Sequence, residues 1–264
     1  MIRLIVLYFL LLTSYFLLLT VMNKVLVSPV AFNENVKLKS AIERFLKSPA
    51  RDRVDYLIVD DASADGTTEM IRSFAAQGVQ TIRHKNRGGV GAAIRTAIKY
   101  AISQGYEALV IMAGNDKDNP DEIPRLIDPI IQEGYDLVQG SRYLSPNGAG
   151  GDMPFYRKVA TRVHPALLSL FVGRTLTDST NGFRAFRLSI FENKAINIDQ
   201  DWLDHYELEP YLLYKAITLG YKFREASVTK IYPPRKSGYT KMRPIVGWWS
   251  ILKPVIYLGL RIRK

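Results

Sequence analysis

The sequence of 264 residues contains no cysteine and only three histidines. The absence of cysteine excludes disulfide bonds, thiolate zinc sites and a cysteine nucleophile, and it is typical of proteins in a reducing compartment. The histidines, at positions 84, 164 and 205, include no pair at the spacing of a zinc-ligand motif. Any bound metal ion must therefore take mainly oxygen ligands.

A second absence concerns the first apolar segment, residues 25–30. No G-x-G-x-x-G follows it, and Pro29, Asn33 and Glu34 stand there instead. This argues against a dinucleotide-binding dehydrogenase.

Positive charge is concentrated near the C-terminus. The formal net charge is +11, and residues 222–264 contain eleven Lys or Arg and one acid, Glu225. Residues 244–264 combine aromatic and aliphatic residues with a basic end, RIRK (261–264), a mixture that favours a membrane-associating tail with interfacial helices over a nucleic-acid-binding tail. The alternative is a last helix that packs on the core and has a solvated basic end.

The first 22 residues are predicted to form an apolar helix that anchors the chain in a membrane. Residues 4–22 are nineteen consecutive residues without a charge, enough to cross a bilayer. A cleaved signal peptide fits poorly, because no small-x-small site precedes Asn23. A mis-assigned start over residues 1–21 is the other interpretation.

Residues 23–243 are predicted to form one α/β domain. Apolar runs at 25–30, 56–59, 79–82, 108–112 and 136–138 alternate with amphipathic helical patterns. Strict alternation of this kind predicts a Rossmann-like, mostly parallel sheet with helices on both faces. After residue 140 a loop (145–154), two helical segments (156–172 and 204–219) and a strand (222–231) are expected.

Polar residues follow each of the first four predicted strands. Ligands of open parallel sheets bind beyond these carboxyl ends. Two adjacent acids, Asp60 and Asp61, follow a buried strand, where carboxylates are costly unless they accept hydrogen bonds or meet a cation. The sequence therefore predicts that this end binds a nucleotide, and that Asp61→Ala weakens nucleoside-diphosphate binding at least about tenfold with little effect on unfolding.

Six motifs, in order, resemble those of family 2 glycosyltransferases of the GT-A fold, and in particular dolichyl- and polyprenyl-phosphate sugar synthases. They are Asn33-Glu34 after the first strand, VDDASADGT (59–67), NRGGVGAA (86–93), GSRY (140–143), DSTNGFR (178–184) and RKSGYTK (235–241). The resemblance implies an inverting hexosyltransferase that uses a nucleotide-diphosphate sugar. It implies a nucleotide site made of Pro29, Glu34, Asp61, Gly89, Gly91, Asn115, Arg235 and Lys241.

One segment departs from the family pattern. The Asp-x-Asp expected after the fourth strand is replaced by AGNDKDNP (113–120), so that Ala113 and Asn115 stand at the two acidic positions. Oxygen ligands for Mg²⁺ or Mn²⁺ remain in Asn115, Asp116 and Asp118. We therefore expect a divalent cation there, with Asp118 counted among the catalytic residues and Lys117 beside the leaving group.

The resemblance also suggests the acceptor. Arg142, Arg157 and Arg184 match positions near a lipid-linked phosphate, and guanidinium groups suit phosphate oxygens. Arg142 is also counted as catalytic, and Asp178 is the candidate base if the acceptor is instead a hydroxyl.

Three functions are consistent with these observations. The first is sugar transfer to a polyprenyl or dolichyl phosphate at the cytoplasmic face of the cell membrane. The second is transfer to a glycan hydroxyl in cell-envelope polysaccharide synthesis, and the third is a catalytically impaired nucleotide-sugar binder.

Overall fold

The computed structural model describes residues 24–146, 148–232 and 246–263, with side chains omitted for 246–248. The predicted N-terminal anchor (1–22), the boundary at 243 and the nucleotide-site candidates Arg235 and Lys241 lie outside the described residues.

The described residues contain nine strands. They are β1 (Val25–Ala31), β2 (Asp55–Asp60), β3 (Val79–Arg83), β4 (Ala108–Ala113), β5 (Leu137–Ser141), β6 (Ala149–Gly151), β7 (Arg184–Arg187), β8 (Phe223–Ser227) and β9 (Lys230–Tyr232). Seven form one sheet in the order β3-β2-β1-β4-β7-β5-β8, and β6 pairs with β9 in a small parallel sheet.

Seven α-helices accompany them. They are α1 (Asn35–Lys47), α2 (Thr67–Arg72), α3 (Val90–Ser103), α4 (Ile123–Glu133), α5 (Phe155–Val172), α6 (Leu208–Thr218) and α7 (Val246–Gly259).

The mostly parallel sheet is confirmed, with one exception. Strand β7 lies between β4 and β5 and is antiparallel to both. The predicted strand over 222–231 is in fact two strands in different sheets, β8 and β9, and the predicted loop over 145–154 contains β6. The architecture is therefore the predicted α/β fold, with a mostly parallel sheet between layers of helices.

Both faces of the sheet are covered because successive strand residues point in opposite directions. Leu26 packs with α3 and α6 on one face, whereas Val25 and Val27 pack with α1 and α4 on the other. The core-facing residues of α3 include Ala93, Ala97 and Ala101, whose small side chains let this helix approach the sheet closely.

Helix α7 packs on the domain and also presents apolar surface. Val255 and Leu258 are buried, the hydroxyl of Tyr214 donates to the carbonyl of Leu258, and Lys253 pairs with Glu207 at 2.7 Å. Trp249 remains 47% exposed. No helix in the described parts of the chain combines the length and apolar content needed to span a bilayer.

Candidate active site

A cleft of about 780 Å³ opens at the carboxyl ends of the strands. The predicted site residues that line it are Glu34, Asp61, Gly89, Asn115, Arg142 and Arg157. Its other walls come from α5, α7 and the segment 205–209, with Lys230 of β9. The position of the cleft is therefore the one expected for an open parallel sheet.

The two adjacent acids after β2 have different environments. Asp60 is fully buried and accepts hydrogen bonds from Ser63 and Thr68, so contacts within the protein account for its burial without a ligand. Asp61 accepts from the backbone N–H of Gly88 (2.7 Å) and Gly89 (2.8 Å) and lines the cleft. The Asp61 carboxylate thus holds the backbone of the glycine segment in place, and it lies in the cleft where a nucleotide could also contact it.

The glycine segment is packed against protein backbone. A Cβ at Gly91 would lie 2.0 Å from the carbonyl oxygen of Leu203, and Ala92 N–H donates to the carbonyl of Asp204 at 3.0 Å. Gly89 has φ +102° and lines the cleft. The structure therefore brings Gly89 to the cleft and places Gly91 against the 203–205 segment instead.

We expect Gly91→Ala to lower the free energy of unfolding by about 1–3 kcal/mol, because the new methyl group overlaps backbone that cannot rotate away. Gly150→Ala is the matched control, since a Cβ at Gly150 meets nothing within 4 Å. Urea denaturation of both variants measures the difference. Equal midpoints for the two variants would contradict this interpretation of the contact.

Two other predicted nucleotide-site residues lie at β1. Pro29 is buried within the strand, and the cleft is lined by its neighbours Val30 and Ala31. Glu34 lies at the start of α1, lines the cleft and is 3.8 Å from the ammonium of Lys37.

The three predicted metal ligands, Asn115, Asp116 and Asp118, have different environments. Asp116 pairs with Arg44 at 2.5 Å, and Asp118 pairs with Lys230 at 2.6 Å. The side-chain oxygen of Asn115 is buried and has no hydrogen-bond partner. Among the described residues, no three acidic or histidine side chains form a group that could hold a metal ion. Because each of the two aspartates is paired with a side-chain cation, the predicted set as arranged does not fit a divalent cation.

Positive side chains gather beside these residues. The cation of Lys117 lies 5.3 Å from the centre of the Tyr232 ring, and that of Arg157 lies 5.5 Å from it. Burial, with the charges of Arg157 and Lys230, lowers the pKa of Lys117 to about 7. Such a cluster favours an anionic ligand.

Arg142 and Asp178 form a buried ion pair. The guanidinium donates to both carboxylate oxygens, at 2.6 and 2.7 Å, and also to the hydroxyls of Tyr232 and Thr180. Burial alone would raise the pKa of Asp178, but the charge and hydrogen bonds of Arg142 hold that pKa below its ordinary value. Asp178 is therefore a poor proton acceptor.

The two remaining residues predicted to contact the acceptor phosphate, Arg157 and Arg184, lie in different places. Arg157 lines the cleft, whereas Arg184 is 1% exposed and donates to the carbonyls of Asn181 and Glu209. Arg184 therefore connects the backbone at Asn181 with the backbone at Glu209.

Sequence reasoning missed several side chains at the cleft, among them Lys230, His205 and Glu209. Lys230 lies within a predicted strand, and among the basic residues described after position 221 its buried position on β9 is what distinguishes it.

Comparison with known proteins agrees with this geometry. The family described as "Glycosyl transferase family 2" matches residues 29–193. The undecaprenyl-phosphate mannosyltransferase of Micrococcus luteus is 30% identical over 190 residues, which cover 71% of this chain and 75% of that protein. The polyprenol monophosphomannose synthase of Mycolicibacterium smegmatis is 30% identical over 225 residues, with coverage of 83% and 81%.

A solved structure shares the fold. Glucosyl-3-phosphoglycerate synthase from Mycobacterium tuberculosis, in complex with Mn²⁺ and UDP-glucose, superposes with a TM-score of 0.61 at 19% identity, over 90% of this chain and 78% of that one. Together with the family match, these comparisons show that the chain belongs to glycosyl transferase family 2 and is a glycosyltransferase.

Proposed function

We propose that the chain transfers a hexose from a nucleoside-diphosphate sugar to the phosphate of a polyprenyl or dolichyl phosphate. The proposal depends chiefly on one juxtaposition: the Arg157 side chain shares the cleft with an apolar wall made of Val159, Val163, Ile251 and Leu252. A guanidinium beside an apolar wall suits a phosphate that carries a hydrocarbon chain. The two relatives named above, which act on lipid-linked acceptors by name, support it.

The proposed reaction needs no protein base. A phosphate monoester is mostly dianionic near pH 7, because its second pKa is about 6. One of its oxygens attacks the anomeric carbon, the bond from that carbon to the nucleoside diphosphate breaks, and the departing diphosphate takes the bonding electrons. Direct attack inverts the anomeric carbon. The protein binds and orients both phosphates, and its cations stabilise the charge that develops on the leaving group.

The second interpretation, transfer to a glycan hydroxyl, requires a group that removes a proton. Both oxygens of Asp178 are held by Arg142, and the pKa of Asp178 is low. These contacts argue against Asp178 as a general base, and they therefore favour an acceptor phosphate, which needs no base.

Attachment to the cytoplasmic membrane face is part of the proposal. Helix α5 carries exposed apolar side chains, including Phe155 at the cleft (79% exposed) and Leu170 near the helix end (78%), and Leu260 follows α7 at 61%. Apolar patches flanked by basic residues suit an anionic lipid surface. The sequence predicts a requirement for Mg²⁺ or Mn²⁺, and nucleotide binding measured with excess EDTA and with Mn²⁺ tests it.

The test is transfer by the full chain in detergent-solubilised membranes. GDP- and UDP-sugars labelled in the sugar are offered with undecaprenyl phosphate, dolichyl phosphate, the unphosphorylated polyprenol or a soluble glycan. We expect label in the lipid fraction only with a polyprenyl or dolichyl phosphate. Label in the glycan, with none in either phosphorylated lipid, would instead establish the hydroxyl-acceptor reaction.

A variant tests the role of Arg157. Arg157→Ala should lower kcat/KM for the lipid phosphate at least about tenfold, because a charged hydrogen bond contributes about 1.5–3 kcal/mol. Arg162→Ala is the matched control on the same helix, since Arg162 is exposed, lies over the ring of Tyr143 and does not line this cleft. Equal losses in the two variants would argue against a specific phosphate contact by Arg157.

A further inference from the structure

Lys230 is held in a defined position at the cleft. Its ammonium donates to an oxygen of Asp118 at 2.6 Å and to the side-chain oxygen of Asn181 at 2.9 Å. The residue is 8% exposed and lines the cleft. Its backbone N–H donates to the carbonyl of Gly148 at 2.7 Å, which fixes the start of β9.

The ammonium of Lys230 is bound to the carboxylate of Asp118, which a divalent cation would need as a ligand. The second oxygen of Asp118 accepts the backbone N–H of Ala113 at 3.1 Å. Both oxygens of this carboxylate therefore already have partners. Asp116, paired with Arg44, does not line the cleft. Only the oxygen of Asn115 is without a partner among the three predicted ligands.

We propose that Lys230 is a tethered cation that binds the diphosphate of the donor and stabilises the leaving group, in place of the divalent cation expected from sequence. An ammonium group has three N–H donors, and Asp118 and Asn181 accept two of them. Arg157 also lines the cleft, as do Arg87 and Arg142, so a diphosphate bound there lies among several cations. The inference rests on the proposed function in taking a nucleoside diphosphate as the ligand.

The covalent anchoring of this cation has a chemical consequence. A bound Mg²⁺ or Mn²⁺ is lost to a chelator, whereas a lysine side chain is not. Binding of the diphosphate should therefore persist when divalent cations are removed.

The experiment measures binding of UDP and GDP by calorimetry, with excess EDTA or with Mn²⁺. For the nucleotide that binds, the wild type should show affinities within about threefold in the two solutions. Lys230→Gln should bind at least about tenfold more weakly in EDTA, which corresponds to about 1.4 kcal/mol. Mn²⁺ should restore much of that affinity, because Asp118 is no longer paired with an ammonium.

Two further variants control for folding and for general loss of charge. Lys99→Gln removes an exposed lysine paired with Asp199, and it should bind like the wild type in both solutions. The double variant Asp118→Asn/Lys230→Met leaves no unpaired buried charge. It should be weak in EDTA and should gain little from Mn²⁺, because the carboxylate ligand is gone. Thermal denaturation of each variant confirms that it is folded.

Two results would overturn the inference. One is wild-type binding at least tenfold weaker in EDTA than in Mn²⁺, and the other is binding by Lys230→Gln within twofold of wild type in EDTA. If neither nucleotide binds the wild type in either solution, both this inference and the proposed function fail. If nucleotide binding depends on Lys230 but no lipid phosphate is glycosylated, only the proposed acceptor fails.

Discussion

Asp178→Ala should lower the free energy of unfolding by roughly 3–5 kcal/mol, the range for removing one partner of a buried ion pair. Asp178 and Arg142 are 0% and 2% exposed, so the variant leaves a guanidinium without a counter-ion and away from water. The backbone N–H groups of Arg142 and Thr180 also lose their acceptor. Urea denaturation near pH 7 measures the loss.

The matched control is Asp128→Ala, which removes the partly exposed carboxylate paired with Arg53 and should cost less than about 1 kcal/mol. A loss below about 1 kcal/mol for Asp178→Ala as well would contradict the importance of the buried pair. A pH series adds a second check. Because the pKa of Asp178 is lower in the folded state, its stabilising contribution is complete above the unfolded value near 3.9 and is lost as the pH falls further.

Asp61→Ala should weaken binding of a nucleoside diphosphate at least about tenfold and also lower the free energy of unfolding by about 1–3 kcal/mol. The expectation from sequence was little change in unfolding. The structure corrects it, because Gly88 and Gly89 donate their N–H groups to this carboxylate and would lose their acceptor. Calorimetric binding and urea denaturation give the two values.

Asp65→Ala is the control for Asp61→Ala. Asp65 lies in the same loop and accepts from Thr67 and Asn35, but it does not line the cleft. It should leave nucleotide affinity within about twofold of the wild type. If Asp61→Ala loses stability but keeps its affinity, Asp61 supports the glycine segment without contacting the nucleotide.

The parts of the fold that follow from local patterns could be predicted. Strands β1, β2 and β4 are short, continuous apolar runs, and α3 begins at Val90 as its glycine-bounded pattern indicates. Strand β7 could not be predicted, because a four-residue segment that begins and ends with arginine has no alternation to identify it. Its antiparallel position depends on contacts with β4 and β5, which are distant in sequence.

In the candidate site, too, some features follow from local sequence and others depend on contacts between distant residues. The acids and glycines after the strands could be found because the carboxyl ends of parallel strands share one edge of the sheet. The pairing of Asp118 with Lys230 could not be found, since these residues are 112 positions apart. A sequence pattern indicates which residues can ligate a cation, but the cation that each carboxylate meets depends on tertiary packing.

The close approach of backbone at Gly91 determines which positions around it can be substituted. The nearest atoms that a Cβ at position 91 would meet all belong to backbone, namely the oxygens of Leu203 and His205 and the carbonyl carbon of Asp204. The close approach therefore requires glycine at position 91, whereas it places no demand on the side chains of residues 203–205. Asp204 contributes its carbonyl to Ala92, while its side chain is 38% exposed and points to Arg95. In a saturation-mutagenesis experiment, position 204 should accept many residue types and position 91 almost none, although both belong to the same contact.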